Sequence, residues 1–493
     1  MSQHHRFAPA PKLAYANTGL APYVPSPEQP WDAFHVAHLL RRTLIGPKPQ
    51  EIIEALQSTP EAVVDRLIEI PYLSLFPTPP ATWVNEDPFV RPDADQRKIE
   101  RERIDEIRTW WMELIVNQQF SLRERMTLFW HNHFATQAKD VLRPQWMFMQ
   151  NALLRQHAVG NFKTLVEEIT RDPAMIYYLD SNTNKVGAPN ENYARELMEL
   201  FTMGVGNYTE DDVAHAARAL TGWTVQGRQA VFVNSRYDKG TKHFLGREGV
   251  FGTQDIIDII FEQSATAEFI CTKLYQEFVY EFPDQNIISQ MAQILRDNNY
   301  EIKPVLKTLL TSAHFFDPAI IGAKIKTPVE LVAGTARTLG MEAGQNKDIR
   351  GEYLYMLADV LGQKLLDPPN VAGWPGYRVW VSTTTLPERH KMTDELVDGI
   401  PRRFNRLYYD LKKPNSVTFI KTFPDPYDPV KLIRAMGECL TAFRVTAEHE
   451  ELFLATLLEG ADVYDWNPDD PNAPRRISNF LKLIFELPEY QLT

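Results

Sequence analysis

Two cysteines in a chain of 493 residues, Cys271 and Cys439, are too few for a disulfide framework or a cysteine-built zinc site. Cys271 lies among Phe269, Ile270 and Leu274 and reads as a small buried hydrophobe. Long apolar runs are missing as well, and none approaches the roughly 18 residues that a membrane-spanning helix needs. The opening Met1-Ser2-Gln3-His4-His5-Arg6-Phe7 lacks the apolar core of a secretory leader. The chain as it stands is therefore expected to be cytoplasmic, without a transmembrane segment. There is no basic excess, since 52 Lys and Arg face 64 Asp and Glu for a net charge of -12. That balance argues against a nucleic-acid partner. No nucleophile elbow, phosphate loop, dinucleotide fingerprint or His-Glu-x-x-His motif occurs, which removes the reactions those motifs serve.

What is there is ordinary globular material, 44% hydrophobic and 24% charged, in a length ample for a large core. Apolar residues recur mostly at helical spacing. The pattern predicts an all-α fold, a multi-helix globular protein with long ordered loops and at most a small β-hairpin. Helices are expected at 49–56, 60–68, 97–117, 145–157, 161–170, 210–220, 265–278, 285–298, 328–339 and 353–361, among others. Prolines break the pattern at 70–92, and Pro with Gly breaks it again at 366–387. Between 222 and 246 the run Val231-Phe232-Val233 suggests the hairpin. Residues 1–30 read as an extended arm, 31–425 as the main helical domain and 426–493 as a helical subdomain.

The stretch of most interest is Pro189-Asn190-Glu191-Asn192-Tyr193-Ala194-Arg195-Glu196-Leu197-Met198-Glu199-Leu200-Phe201. It reads as one helix with Asn190 as its N-cap. At about 100° per residue, Tyr193, Leu197, Met198 and Phe201 share an apolar face. Asn192, Glu196 and Glu199 share a polar arc with Arg195 beside it. That arc is either a solvated face, with Glu191 and Arg195 as an i,i+4 pair, or the wall of a polar pocket.

His131 and His133, in Trp130-His131-Asn132-His133-Phe134, are the metal candidates. Residues two apart point about 200° from each other on a helix, so they could share one ion only where the helix ends. The alternative for His133 is a core histidine bonded to a buried acceptor. Trp223, and Trp374 in Gly373-Trp374-Pro375-Gly376, could stack on a flat ligand or simply plug their loops into the core.

Several of these motifs together resemble one family. Phe129-Trp130-His131-Asn132-His133-Phe134, Asp172-Pro173-Ala174-Met175 with Tyr178-Leu179-Asp180, the central stretch from Asn190 to Phe201, and Ala219-Leu220-Thr221-Gly222-Trp223 are similar to the bacterial domain-of-unknown-function family 1800. The likeness runs from His38 to the closing Pro488-Glu489-Tyr490. It implies a mainly helical protein and a link to a partner of the sulfatase and alkaline-phosphatase fold, outside the cytoplasm in some relatives. Where relatives carry His-Asp before Gly-x-Lys, this chain has Tyr237-Asp238-Lys239-Gly240-Thr241-Lys242.

The resemblance also favours a pocket between the histidine helix and the central helix. On that reading Asn192, Arg195, Glu196 and Glu199 are catalytic, and Trp223, Trp374 and Asp180 bind the ligand. His131 and His133 hold a divalent metal, and the reaction is a metal-assisted hydrolysis. The alternative is a non-catalytic helical scaffold, or a partner of a sulfatase-like protein, in which the same charges form an ion-pair network.

Overall fold

A computed structural model describes residues 19–403 and 411–493. Most of the expected arm, residues 1–18, lies outside the described residues. Its remainder packs down: Leu20 and Tyr23 are buried, and the Tyr23 amide donates to the Thr311 carbonyl at 2.8 Å.

The fold is mainly helical. Twenty-two α-helices are found among the described residues, with two antiparallel hairpins. The hairpins pair Trp223–Gln226 with Gln229–Phe232, and Lys242–Phe244 with Arg247–Gly249. The first is the expected one. The second begins at Lys242, directly after the segment that carries Tyr237 and Asp238. Arg218 holds the Asp238 carboxylate through its Nε at 2.8 Å, and the Lys242 ammonium sits 4.9 Å above the Tyr237 ring. No helix among the described residues is long and apolar enough to cross a membrane.

Local signals place most helices where periodicity predicts them. Thr59 caps the helix Pro60–Ile68 through the Ala62 amide, with Pro60 fitting the first turn. Asp93 and Gln96 form a reciprocal capping box at the head of Ala94–Val116. That long helix buries Ile107, Trp111, Met112 and Ile115. It packs so tightly against the helix Gly351–Val360 that a Cβ on Gly351 would lie 2.4 Å from the Thr109 carbonyl oxygen. Pro328–Thr338 is buried on every side, as a helix through the middle of a core must be. A single cluster of buried apolar residues extends from Leu20 to Tyr490 and includes side chains of Pro429–Leu440 and Ala473–Glu486.

Ser121 and Glu124 have capping-box spacing, but Glu124 does something else. Its carboxylate turns into the core and receives Arg155 through Nε and Nη2, both at 3.0 Å, together with Arg123 Nε at 2.8 Å and Trp111 Nε1 at 3.1 Å. The helix accordingly starts at Arg123.

The central helix also differs from expectation. It has one α-helical stretch, Asn192–Glu196, and then widens into a π-helix at Leu197–Thr202. The Met203 amide reaches back five residues to the Met198 carbonyl at 2.9 Å, and the Thr202 hydroxyl donates to the Leu197 carbonyl at 2.5 Å. Asn190 lies before the N-cap, Glu191, and its side-chain oxygen accepts the Asn192 amide at 2.9 Å.

Candidate functional site

The histidine helix, Arg123–His133, ends against the π-helical turn. His133 Nε2 lies 2.9 Å from the Phe201 carbonyl oxygen. A carbonyl only accepts, so Nε2 carries the proton and Nδ1 keeps its lone pair. Burial holds the ring neutral, with a pKa pushed down to about 3, and Lys273 acts in the same direction. His131 is also driven down to about 3 by burial. Its Nε2 has no hydrogen-bond partner, and its ring sits between Trp111, at 5.3 Å, and Trp374, at 5.6 Å.

Beside His133 opens a cavity of about 330 Å³. One wall is the loop from Gly373 to Trp380. Gly373 has φ +80, and a Cβ there would meet the Asn132 side-chain oxygen at 2.3 Å. The same oxygen accepts the Trp374 amide at 2.7 Å. The loop thus runs hard against the end of the histidine helix, which only glycine permits. Trp374 and Trp380 are buried in this wall. Tyr377 takes the left-handed φ of 52 and packs edge-on against Tyr280 and Phe282.

The floor is charged. It is built where the helix Ser264–Phe278 ends and leaves its last carbonyls without helical partners. Lys324 donates to the Gln276 carbonyl at 2.7 Å and to the Glu277 carbonyl. Arg42 donates to the Phe278 carbonyl at 3.2 Å and to that of Val279 at 2.7 Å. Arg125 bridges Glu277, at 2.7 Å, and Glu330. Burial pushes the Lys324 ammonium down to about 8 against the pull of Glu277.

Two charged side chains on the cavity wall stand outside this network. Lys273 and Glu281 make no ion pair and no side-chain hydrogen bond among the described residues. Burial lowers the pKa of Lys273, opposed by Glu281, and raises that of Glu281, opposed by Lys324 and then Lys273. Both therefore shift toward neutral pH, the condition for proton transfer there.

Of the residues singled out from sequence, His133 and Trp374 line the cavity, while His131 packs behind Trp374. The central helix contributes Leu200 to the lining and none of its charged residues. Asn192 is exposed. Arg195 pairs with Glu210, at 2.7 Å, and with Glu191, at 3.3 Å. Glu199 accepts the Tyr208 hydroxyl at 2.6 Å. Glu196 is half-buried, its pKa raised by burial and then by Glu199. Among the described residues no group of three His, Cys, Asp or Glu side chains could hold a metal ion. Trp223 donates through Nε1 to the Thr253 hydroxyl at 2.9 Å and packs edge-on with Phe232, plugging its hairpin onto the body. Asp180 occupies a left-handed turn, φ 56, and is exposed.

Lys273 and Glu281 are among the cavity residues that sequence reasoning passed over, as are Arg125, Glu277 and Lys324. The one local signal for Lys273 was a lysine set between Cys271 and Leu274, one turn after Phe269 and Ile270.

Comparison with curated proteins and with solved structures returns no match. One family profile, described as a protein of unknown function, covers residues 38–492. It spans the histidine helix, the cavity loop and the helix carrying Lys273 alike, and the chain belongs to the DUF1800 family.

Proposed function

We propose that this protein binds a small polar molecule in the cavity beside the histidine helix and converts it by general acid–base chemistry, with hydrolysis as the reaction class. The observation that carries this reading is the pair Lys273 and Glu281, unpaired within one cavity whose other charges are matched. Glu281, with its raised pKa, is the general base that takes a proton from the attacking water and returns it to the leaving group as the bond breaks. Lys273 stabilises the negative charge that develops on the oxygen of the attacked bond. His133 offers its Nδ1 lone pair to a donor on the ligand, and Trp374 and Trp380 supply the apolar wall.

The metal-assisted form of this reading would draw on His133 and Glu281 as ligands. Since no group of three such side chains occurs among the described residues, the proton steps proposed here use none.

The test is turnover of p-nitrophenyl acetate, p-nitrophenyl phosphate and L-alanine p-nitroanilide by the full chain and by Glu281→Gln. The expected result is turnover of at least one, reduced by about 10²- to 10⁴-fold in the variant. No turnover of any, or equal turnover by both proteins, would overturn it.

A second reading, a helical scaffold or partner of a sulfatase-like protein, is favoured by a different observation. The charges of the central helix are spent on neighbours at the surface, Arg195 on Glu210 and Glu191 and Glu199 on Tyr208. Under that reading Glu281→Gln changes no activity, and charge reversal at Arg195 weakens association with the partner.

A further inference from the structure

The charges on the cavity wall narrow the class of ligand, and this inference rests on the cavity and not on the proton steps of the reading above, since a ligand that pairs Lys273 and Glu281 occupies the groups those steps use. Of the lining charges, Arg125 and Lys324 face Glu277, with Glu330 behind Arg125, and Arg42, which does not line the cavity, is spent on the carbonyls of Phe278 and Val279. His133 is uncharged. What remains is one cation, Lys273, and one anion, Glu281. Lys273 lies in the last turns of the helix ending at Phe278, and Glu281 lies just beyond that end. The two feel each other's charge without closing to ion-pair distance.

Unpaired charges in a partly desolvated wall are unfavourable, and whatever pairs them is favoured. A dianion would satisfy Lys273 and be repelled by Glu281. A dication would do the reverse, and an uncharged sugar would hydrogen-bond both without neutralising either. A ligand bearing one charge of each sign relieves both. Part of the wall is apolar or aromatic, at Leu128, Phe129, Trp374 and Trp380, and part is polar, at Asn132 and Gln363. A volume of about 330 Å³ is at the small end for ligand pockets, room for one or two amino-acid residues.

We propose that the cavity takes a zwitterionic amino-carboxylate with an apolar side chain, an amino acid or short peptide, its carboxylate on Lys273 and its ammonium on Glu281.

Calorimetric titration of the full chain tests this with three probes: glycyl-L-phenylalanine, its N-acetyl derivative and its C-terminal amide. The dipeptide should bind at least about tenfold more tightly than either derivative, because each has lost one charge-assisted contact. Lys273→Gln should erase the preference over the amide and keep the preference over the N-acetyl form. Glu281→Gln should do the opposite. If all three probes bind alike, or the N-acetyl form binds best, the zwitterion proposal fails and the cavity reading survives. If none binds while chromogenic turnover still depends on Glu281, the proposal again fails alone. If none binds and no turnover is seen, both fall.

Discussion

The side-chain oxygen of Asn132 accepts the backbone amide of Trp374 at 2.7 Å, joining residues 242 apart in sequence. This bond docks the cavity loop on the end of the histidine helix. Gly373, next to it, leaves no room for a methyl group. Gly373→Ala should therefore cost about 1–3 kcal/mol, from the contact with Asn132 and the left-handed backbone together. Urea denaturation measures the loss. The same variant should lose affinity for any cavity ligand, whereas Gly376→Ala should strain the backbone without striking Asn132, since a Cβ there meets nothing within 4 Å.

Glu124 carries the heaviest buried load. Its side chain and that of Arg155 are both fully excluded from solvent. The charged carboxylate is favoured despite burial, because Arg155 and then Arg123 hold its pKa below the usual range. Glu124→Gln removes the charge and leaves two guanidinium groups without it. A loss of about 3–5 kcal/mol is expected, read by chemical denaturation at neutral pH. A loss under about 1 kcal/mol would mean that the arginines find other partners.

His131 links stability to pH. Its ordinary value near 6.5 falls to about 3 in the folded chain. Above pH 6.5 the ring is neutral in both states and its contribution is fully present. As pH falls below 6.5 the unfolded chain takes up a proton that the folded chain refuses, so stability drops until about pH 3, where the folded ring also protonates. His133 follows the same sign over the same window. His131→Met should flatten the acid slope by up to about 1.4 kcal/mol per pH unit. Because Nε2 of His131 has no partner, the substitution should also leave stability at pH 7 equal or higher. Denaturation midpoints at pH 7 and pH 5 check both statements.

Arg195→Ala is expected to do little. The arginine side chain is 33% exposed and that of its partner Glu210 is 78% exposed, so water screens the pair. The thermal midpoint should stay close to that of the parent in low and high salt alike. A large drop, or the loss of a turnover that Glu281→Gln leaves intact, would move the functional centre back to the central helix.

Helices were legible from sequence wherever their signals are local. Thr59 before Pro60 acts within one turn of the residues it organises, while the Asp93 and Gln96 pair starts its helix at Ala94, three residues before the expected start at 97. For His133 the alternative of a core histidine is what the structure shows, since the helix ends there and the ring meets a buried carbonyl. Ser121 and Glu124 have a spacing that the structure does not use as a cap, for a reason of the same kind. Capping-box spacing says nothing about an arginine 31 residues away that competes for the carboxylate. In the central stretch a uniform 100° rotation carried the polar arc through Glu199, but the helix widens after Glu196 and no longer turns at that rate.

The amino-acid order alone thus determined the helical class, the positions of most helices and the loop that would carry Trp374. Those depend on hydrogen bonds and apolar spacing within a few residues. Only the tertiary structure decided which charges are spent and which are available. Arg125 meets Glu330 across 205 positions, and Arg195 finds Glu210 rather than a ligand. Lys273 and Glu281 line one cavity with Trp374 and Trp380, about 100 residues further along the chain. Whether a charge is paired depends on what lies within a few ångströms, and chain order does not contain that distance.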